Sequence, residues 1–433
     1  MELATLGIFA VLLLVCVVLD QSVLWALAAG FVLFFAYGVR RGFAAREMLA
    51  AAVSGVKTVK NILISFVLIG MLTALWRAAG TIPVIVSWAV LAIRPQIFLL
   101  MAFVLNALVS VLTGTAFGTA ATMGVICATM GAAMGQNVVL VGAAVLAGVY
   151  FGDRCSPVST SALLVAELTG TNVLKNIRNM LRTAAVPALV SCGVFLLLGF
   201  GGSAGGAVPD LAAVFARGFK LHWAAALPAA AILVLSACKV STRNTLGASV
   251  LLALVLSVAL QGVPLGSLPQ LLVFGYQSAD PELAAMLNGG GITSMLKVGM
   301  IVMISSTYSG MFKKTGLLNG LQKSISALAG RVGAYGATLI TAAIASMIAC
   351  NQTLSILLTQ QLCGKLRDDP SQAAIDLEDT AVVVAPLVPW SIAGAVPLTA
   401  VGAPTSSILL ACFLYLLPAW RFVTSRGKEK VKK

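Results

Sequence analysis

Residues 138–152, VVLVGAAVLAGVYFG, form an apolar run long enough to lie in a bilayer, and Asp153 and Arg154 stand directly at its end. Ser156, Pro157, Ser159, Thr160 and Ser161 follow at once, a proline set among hydroxyls. Charges in hydrocarbon are costly, and freed backbone groups must be satisfied internally. Such a break persists only where protein buries it or water reaches it. The pattern excludes an ordinary lipid-facing helix and marks a place where something polar is handled at membrane depth.

The rest of the chain identifies its solvent. Of 433 residues, 60% are hydrophobic and 10% charged, more apolar surface than a soluble core hides. Apolar segments of about 17–25 residues recur along the whole length, as a bilayer about 30 Å thick requires of helices. The expected class is an all-α polytopic membrane protein, an inverted-repeat secondary transporter with broken transmembrane helices and about 10–14 spans. The net charge of +14 does not mark a nucleic-acid partner, because the basic residues sit in short loops and the tail: Arg40, Arg41, Arg46, Lys57 and Lys60; Lys175, Arg178 and Arg182; Lys313 and Lys314; Lys365 and Arg367; and residues 421–433. That is a positive-inside bias, which places both termini in the cytoplasm and the chain in the cell (inner) membrane, surrounded by lipid. The opening stretch, MELATLGIFAVLLLVCVVLD, lacks a basic n-region and reads as a first span, with a tight turn at Asp20–Gln21. The 8 cysteines are scattered singly, as small hydrophobes in helices.

The chain divides into N-terminal spans and a cytoplasmic loop (1–60), a first transport repeat (61–200), a linker with connecting spans (201–290), a second, inverted repeat (291–420) and a basic cytoplasmic tail (421–433). Each repeat holds two segments that break in the middle: 96–134 at TGTAFGTAATMG and 137–168 at FGDRCSP, then 335–363 at ACNQT and 371–398 at LEDTAVVVAPLVPW. The second break of each repeat carries a small residue–Pro–aliphatic core, Ser156-Pro157-Val158 against Ala385-Pro386-Leu387. Paired broken segments in inverted halves point to a transporter's site near the bilayer midplane.

Chemistry at that depth falls to carboxylates. The lone histidine, His222, precedes Trp223 at an interface, and the acids at membrane depth are Asp153, Glu167, Glu378 and Asp379. Asp153 and Asp379 occupy the paired breaks and are the candidates for holding an ion. The competing reading is a carboxylate paired with Arg154 or another base, or one capping a half-helix. Glu378 cannot share a helical face with Asp379, and Glu167 is either a site acid or an interfacial charge. In TGTAFGTAATMG, Gly114 and Gly118 permit unwound backbone, and Thr113, Thr115, Thr119 and Thr122 supply hydroxyl oxygens. That set suits a hard cation, and equally suits close helix packing. Asn351, Gln352 and Thr353 occupy the corresponding break of the second half. No GxxxxGK[ST] loop is present, so transport is expected to be gradient-driven, with neither an enzymatic activity nor a resident cofactor.

These motifs resemble those of the NhaC family of sodium/proton antiporters, within the ion-transporter superfamily. SVLTGTAFGTAATMGV, YFGDRCSPVS with its GTN turn and basic IRNML helix, NGGGITSML and LEDTAVVVAPLVPW match in order over nearly the whole chain. The resemblance implies exchange of Na⁺ for H⁺, or coupling of one of them to a small organic solute such as an amino acid or carboxylate. On that reading Asp153 and Asp379 alternate between H⁺ and Na⁺ beside Glu378, with Thr115, Thr119, Ser156, Ser159 and Thr160 supplying neutral oxygens. Asn351, Gln352 and Trp390 would suit hydrogen bonding to an organic solute, and a homodimer is left open. Many members read GDxxSPLSDTTN, where this chain replaces the second aspartate and the asparagine by Thr160 and Leu163. The replacement removes a carboxylate of the kind that bare cations prefer.

Overall fold

A computed structural model describes residues 2–19, 21–90, 94–157, 159–202, 211–238, 240–317 and 321–425. Asp20 of the expected first turn, Val158, Lys239, residues 203–210 of the glycine-rich linker and the basic tail beyond 425 lie outside them. Among the described residues the fold is helical, apart from one isolated bridge between Tyr276 and Gly289. Among the described residues eight helices are long and apolar enough to cross a bilayer, the first Val23–Arg40 and the last Thr405–Ser425. Pro370–Leu387 and Ile392–Ala400, bent by 58°, make a ninth as one broken span. Glu2–Val18 and Val138–Arg154 add two apolar helices of 17 residues each.

The broken segments share local geometry because the same kind of residue restarts each half-helix. Phe98–Thr113 ends at Gly114 in the left-handed region (φ 66°), and Thr115 then turns extended (φ −152°, ψ 123°) and accepts the Gly118 N–H at 3.3 Å. In the second half Cys350 takes the left-handed place (φ 56°), and the extended Asn351 (φ −149°, ψ 154°) accepts the Leu354 N–H at 2.8 Å. A left-handed non-glycine residue costs roughly 1–2 kcal/mol. Cys350 is held there partly by its carbonyl, which accepts the Ile392 N–H at 2.9 Å. Side-chain capping of this kind stabilises each restart by about 1 kcal/mol.

The second break of each half is capped by a serine two residues after a proline. Ser159 (φ −68°, ψ 137°) accepts the Ser161 N–H, and Ser391 (φ −76°, ψ 136°) accepts the Ala393 N–H. The match is therefore Pro157–Ser159 with Pro389–Ser391, which corrects the pairing of Ser156-Pro157-Val158 with Ala385-Pro386-Leu387. Ala385–Leu387 is a 3₁₀ turn continuing the helix before the break. In this register Asp153 stands opposite Ala385, not Asp379. Asp379 lies at a kink of its own, where Thr380 leaves helical geometry (φ −123°, ψ −84°).

Small residues let the elements around Asp153 approach closely. A Cβ on Gly148 would lie 2.4 Å from the Phe103 carbonyl oxygen, and one on Gly152 2.3 Å from that of Ala107. This presses Val138–Arg154 against Phe98–Thr113, as small residues do between membrane helices. The basic segment 40–60, expected as a loop, is mostly the helix Ala45–Thr58, packed on Leu296–Thr315. The physical reason is its small-residue face: a Cβ on Gly310 would come 1.9 Å from the Ala51 carbonyl oxygen. Gly310→Ala is expected to separate these helices at a cost of about 1–3 kcal/mol. A thermal unfolding midpoint in detergent equal to wild type would show that the contact gives way without cost.

Candidate ion-binding site

Asp153 sits in the last turn of Val138–Arg154, buried among the ends of three broken segments. Ser159 Oγ donates to its Oδ1 at 2.9 Å and Ser161 Oγ to its Oδ2 at 3.0 Å. The Ala116 backbone N–H and the Gln352 side chain complete the set. Ala116 opens the 116–133 span, Gln352 opens Gln352–Cys363, and Ser159 caps Thr160–Thr169. Three helix N-termini, each with partial positive charge, thus converge on one carboxylate. Every group that reaches it is neutral, and no base pairs with it among the described residues. A buried carboxylate without a cation costs several kcal/mol unless it takes a proton or an ion.

Arg154, next in sequence, faces elsewhere. Its guanidinium pairs with Asp379 Oδ1 and donates to Thr183 Oγ1 at 2.9 Å and to the carbonyls of Met180 (3.1 Å) and Glu378 (3.2 Å). Arg421 Nε reaches Asp379 Oδ2 at 2.7 Å, and Thr183 Oγ1 donates to Oδ1 at 3.2 Å. One turn earlier, Asp376 accepts from Arg367 Nε (2.7 Å), Gln372 Nε2 (2.8 Å) and Arg421 Nη2 (3.3 Å). The Arg421 guanidinium lies 5.4 Å from the Tyr335 ring centre, and the Tyr335 hydroxyl donates to the Asp379 carbonyl at 3.2 Å. Asp379 is therefore held between two arginines, the geometry of the competing reading in which a carboxylate of the breaks pairs with Arg154 or another base. Glu378 differs from it: fully buried, with both carboxylate oxygens lacking a hydrogen-bond partner.

The other candidates divide. Gln352 reaches Asp153 while its Nε2 donates to the Val382 carbonyl at 3.0 Å. Thr115 and Asn351 act as caps, close in sequence to the converging Ala116 and Gln352. Thr119 Oγ1 donates to the Thr115 carbonyl at 2.8 Å, stitching the restart of the helix. Ser156 Oγ donates to the Val111 carbonyl at 2.6 Å, and Trp390 Nε1 to that of Met347 at 2.9 Å, so both tie the breaks to neighbouring helices. Thr160 is exposed and, at the first turn of its helix, lies off the Asp153 side that Ser159 and Ser161 occupy. Glu167 is exposed as well, and His222 Nδ1 accepts the Ala224 N–H at 3.2 Å as a cap. Ser161 and Asp376 are absent from the sequence-derived set. Ser161 was visible in the SPVSTS hydroxyl run, and Asp376 in its one-turn spacing from Asp379.

The family model of the Na⁺/H⁺ antiporter family matches residues 2–164 and 148–423. Over 421 residues the chain is 29% identical to the malate-2H⁺/Na⁺-lactate antiporter of Bacillus subtilis, covering 93% of this chain and 89% of that one. It is 28% identical over 393 residues to the Na⁺/H⁺ antiporter NhaC of the same organism, covering 87% and 86%. The arginine/ornithine antiporter ArcD of Halobacterium salinarum is 27% identical over 368 residues, covering 81% and 75%.

Proposed function

The chain belongs to the Na⁺/H⁺ antiporter family, and from that premise we propose that it exchanges Na⁺ for H⁺ by alternating access, with Asp153 as the carboxylate both ions use. The observation that carries this reading is the unpaired state of buried Asp153, ringed by Ser159, Ser161, Gln352 and the Ala116 N–H. When Na⁺ is bound, the serine hydroxyls and the Gln352 carbonyl can turn their oxygens to the ion. When H⁺ is bound, the same groups hydrogen-bond the neutral acid. One carboxylate that cannot hold both at once is sufficient for exchange. The two sets of breaks would form the inverted repeats, with 1–60 and 201–290 as flanking and connecting units and both termini in the cytoplasm.

Glu378, buried without a hydrogen-bond partner beside Arg154, is the second proton carrier in this scheme. Glu378→Gln is expected to leave Na⁺-driven H⁺ movement in place with fewer protons per Na⁺. Moving one charge through 100 mV is worth about 2.3 kcal/mol, so the voltage at which flux reverses should shift. Proteoliposomes with an internal pH dye and a potassium diffusion potential measure this, and an unchanged reversal voltage would remove Glu378 from the cycle. In the same vesicles, a wild-type protein that moves no protons under an imposed Na⁺ gradient, yet exchanges a labelled amino acid or carboxylate, would replace the proposed cargo. The relatives named for malate/lactate and for arginine/ornithine exchange are what favour that second reading.

A further inference from the structure

Arg77 is a buried cation with no acid paired to it among the described residues. It lies in the last turn of Lys60–Ala78, and only 8% of it is exposed. Its Nη1 donates to the Thr73 carbonyl at 2.7 Å, while Nε has no hydrogen-bond partner. Among the described residues no carboxylate pairs with it. Capping its own helix's carbonyls explains one N–H of five, not the burial of the rest, and an uncompensated buried charge costs several kcal/mol. The side chain borders a cavity of about 380 Å³, to which Thr129, Gln136, Asn288, Ser294 and Thr399 add polar groups. That volume is in the range of small-molecule sites.

The NGGG motif, which the ion site leaves without a role, builds one wall of this cavity. Gly289, Gly290 and Gly291 adopt φ of 129°, 79° and 83°, and the Gly291 N–H donates to the Gly70 carbonyl at 2.8 Å. A Cβ on Gly290 would come 2.6 Å from the Ala74 nitrogen, and one on Gly289 would lie 3.9 Å from Arg77 Nη2. The positive φ at all three positions and the close approach of Gly290 to the Ala74 backbone require glycine, and the loop so formed runs beside the guanidinium. Arg77 stands at the end of its helix away from Lys57 and Lys60, about 25 Å along the axis.

We infer that this cavity binds a small organic carboxylate, with Arg77 as its charge partner and the neighbouring hydroxyls and amides fixing its orientation. The planar fork of arginine matches a carboxylate with two parallel hydrogen bonds. The inference rests on the transporter reading but not on the role of Asp153. Its test is the thermal midpoint of the protein in lipid nanodiscs, titrated with succinate or propionate against chloride and inorganic phosphate at constant ionic strength. Saturable stabilisation by a carboxylate, absent with chloride and phosphate, is expected, with an apparent Kd weakened about 10- to 100-fold in Arg77→Gln. Should Arg77→Gln not fold, Thr399→Leu, at an exposed position on the cavity, should weaken binding by narrowing the space. Equal stabilisation by phosphate or chloride, no stabilisation by either carboxylate, or full carboxylate binding in the folded variants would overturn the assignment. Asp153→Asn should keep the carboxylate effect, so failure at this cavity and failure of the ion site remain distinguishable.

Discussion

Asp153→Asn is expected to cut Na⁺-driven H⁺ movement in proteoliposomes by about 100-fold or more, while the protein purifies as a folded species. The magnitude follows from charge. A unit charge a few ångströms from an ion in a low-dielectric site is worth several kcal/mol, and each 1.4 kcal/mol is a tenfold change. Folding should survive because asparagine keeps the shape of aspartate and its Oδ1 still accepts from Ser159. The Ser161 hydroxyl rotates to accept where it now donates, at a cost near that of one neutral hydrogen bond, about 1 kcal/mol. Ser159→Ala and Ser161→Ala should each be milder, since the charge remains. Asp153→Asn vesicles that acidify and alkalinise like wild type would remove this carboxylate from the mechanism.

The membrane class and the polar break at Asp153 were legible for the same reason: both are violations of, or conformity to, a solvent rule that operates locally. An apolar run of bilayer length can be read one segment at a time, and a charge with a proline at its end stands out against it. What sequence hides is which base meets which acid. Arg154 and Asp379 are 225 residues apart, and Arg421 arrives from the last helix, so nothing local separates the anchored Asp379 from the unpartnered Glu378 beside it. Register across the halves was hidden too, because two prolines, Pro386 and Pro389, lie three residues apart and only the serine cap tells them apart. The sequence also hides which hydroxyl of the run meets Asp153: Ser159 is still extended where the helix starts, so Ser159 and Ser161 share the Asp153 side and Thr160 between them points away.

Asp379→Asn separates the anchor from the carrier. If Asp379 served as an ion ligand, the variant would fold normally and lose coupling. The geometry predicts the reverse order of events: the folded state itself suffers. Asp379 neutralises Arg154, which is fully buried, and shares Arg421 with Asp376, so it locks Val138–Arg154 of the first half to Pro370–Glu378 and Phe413–Ser425 of the second. Removing one partner of a buried pair leaves an uncompensated charge and typically costs about 3–5 kcal/mol. The expected result is a large drop in the thermal midpoint in detergent, together with a poor yield of monodisperse protein. The loss should be partly recovered in Arg154→Met/Asp379→Asn, because a buried pair replaced by neutral groups is often near neutral in stability. That recovery is what a purely ligand role would not produce, since neither substitution restores a carboxylate. A singly substituted Asp379→Asn protein that melts with wild type but moves no protons would return Asp379 to the ion path. It would then make the Arg154 pair one state of the transport cycle, broken and remade at each turnover.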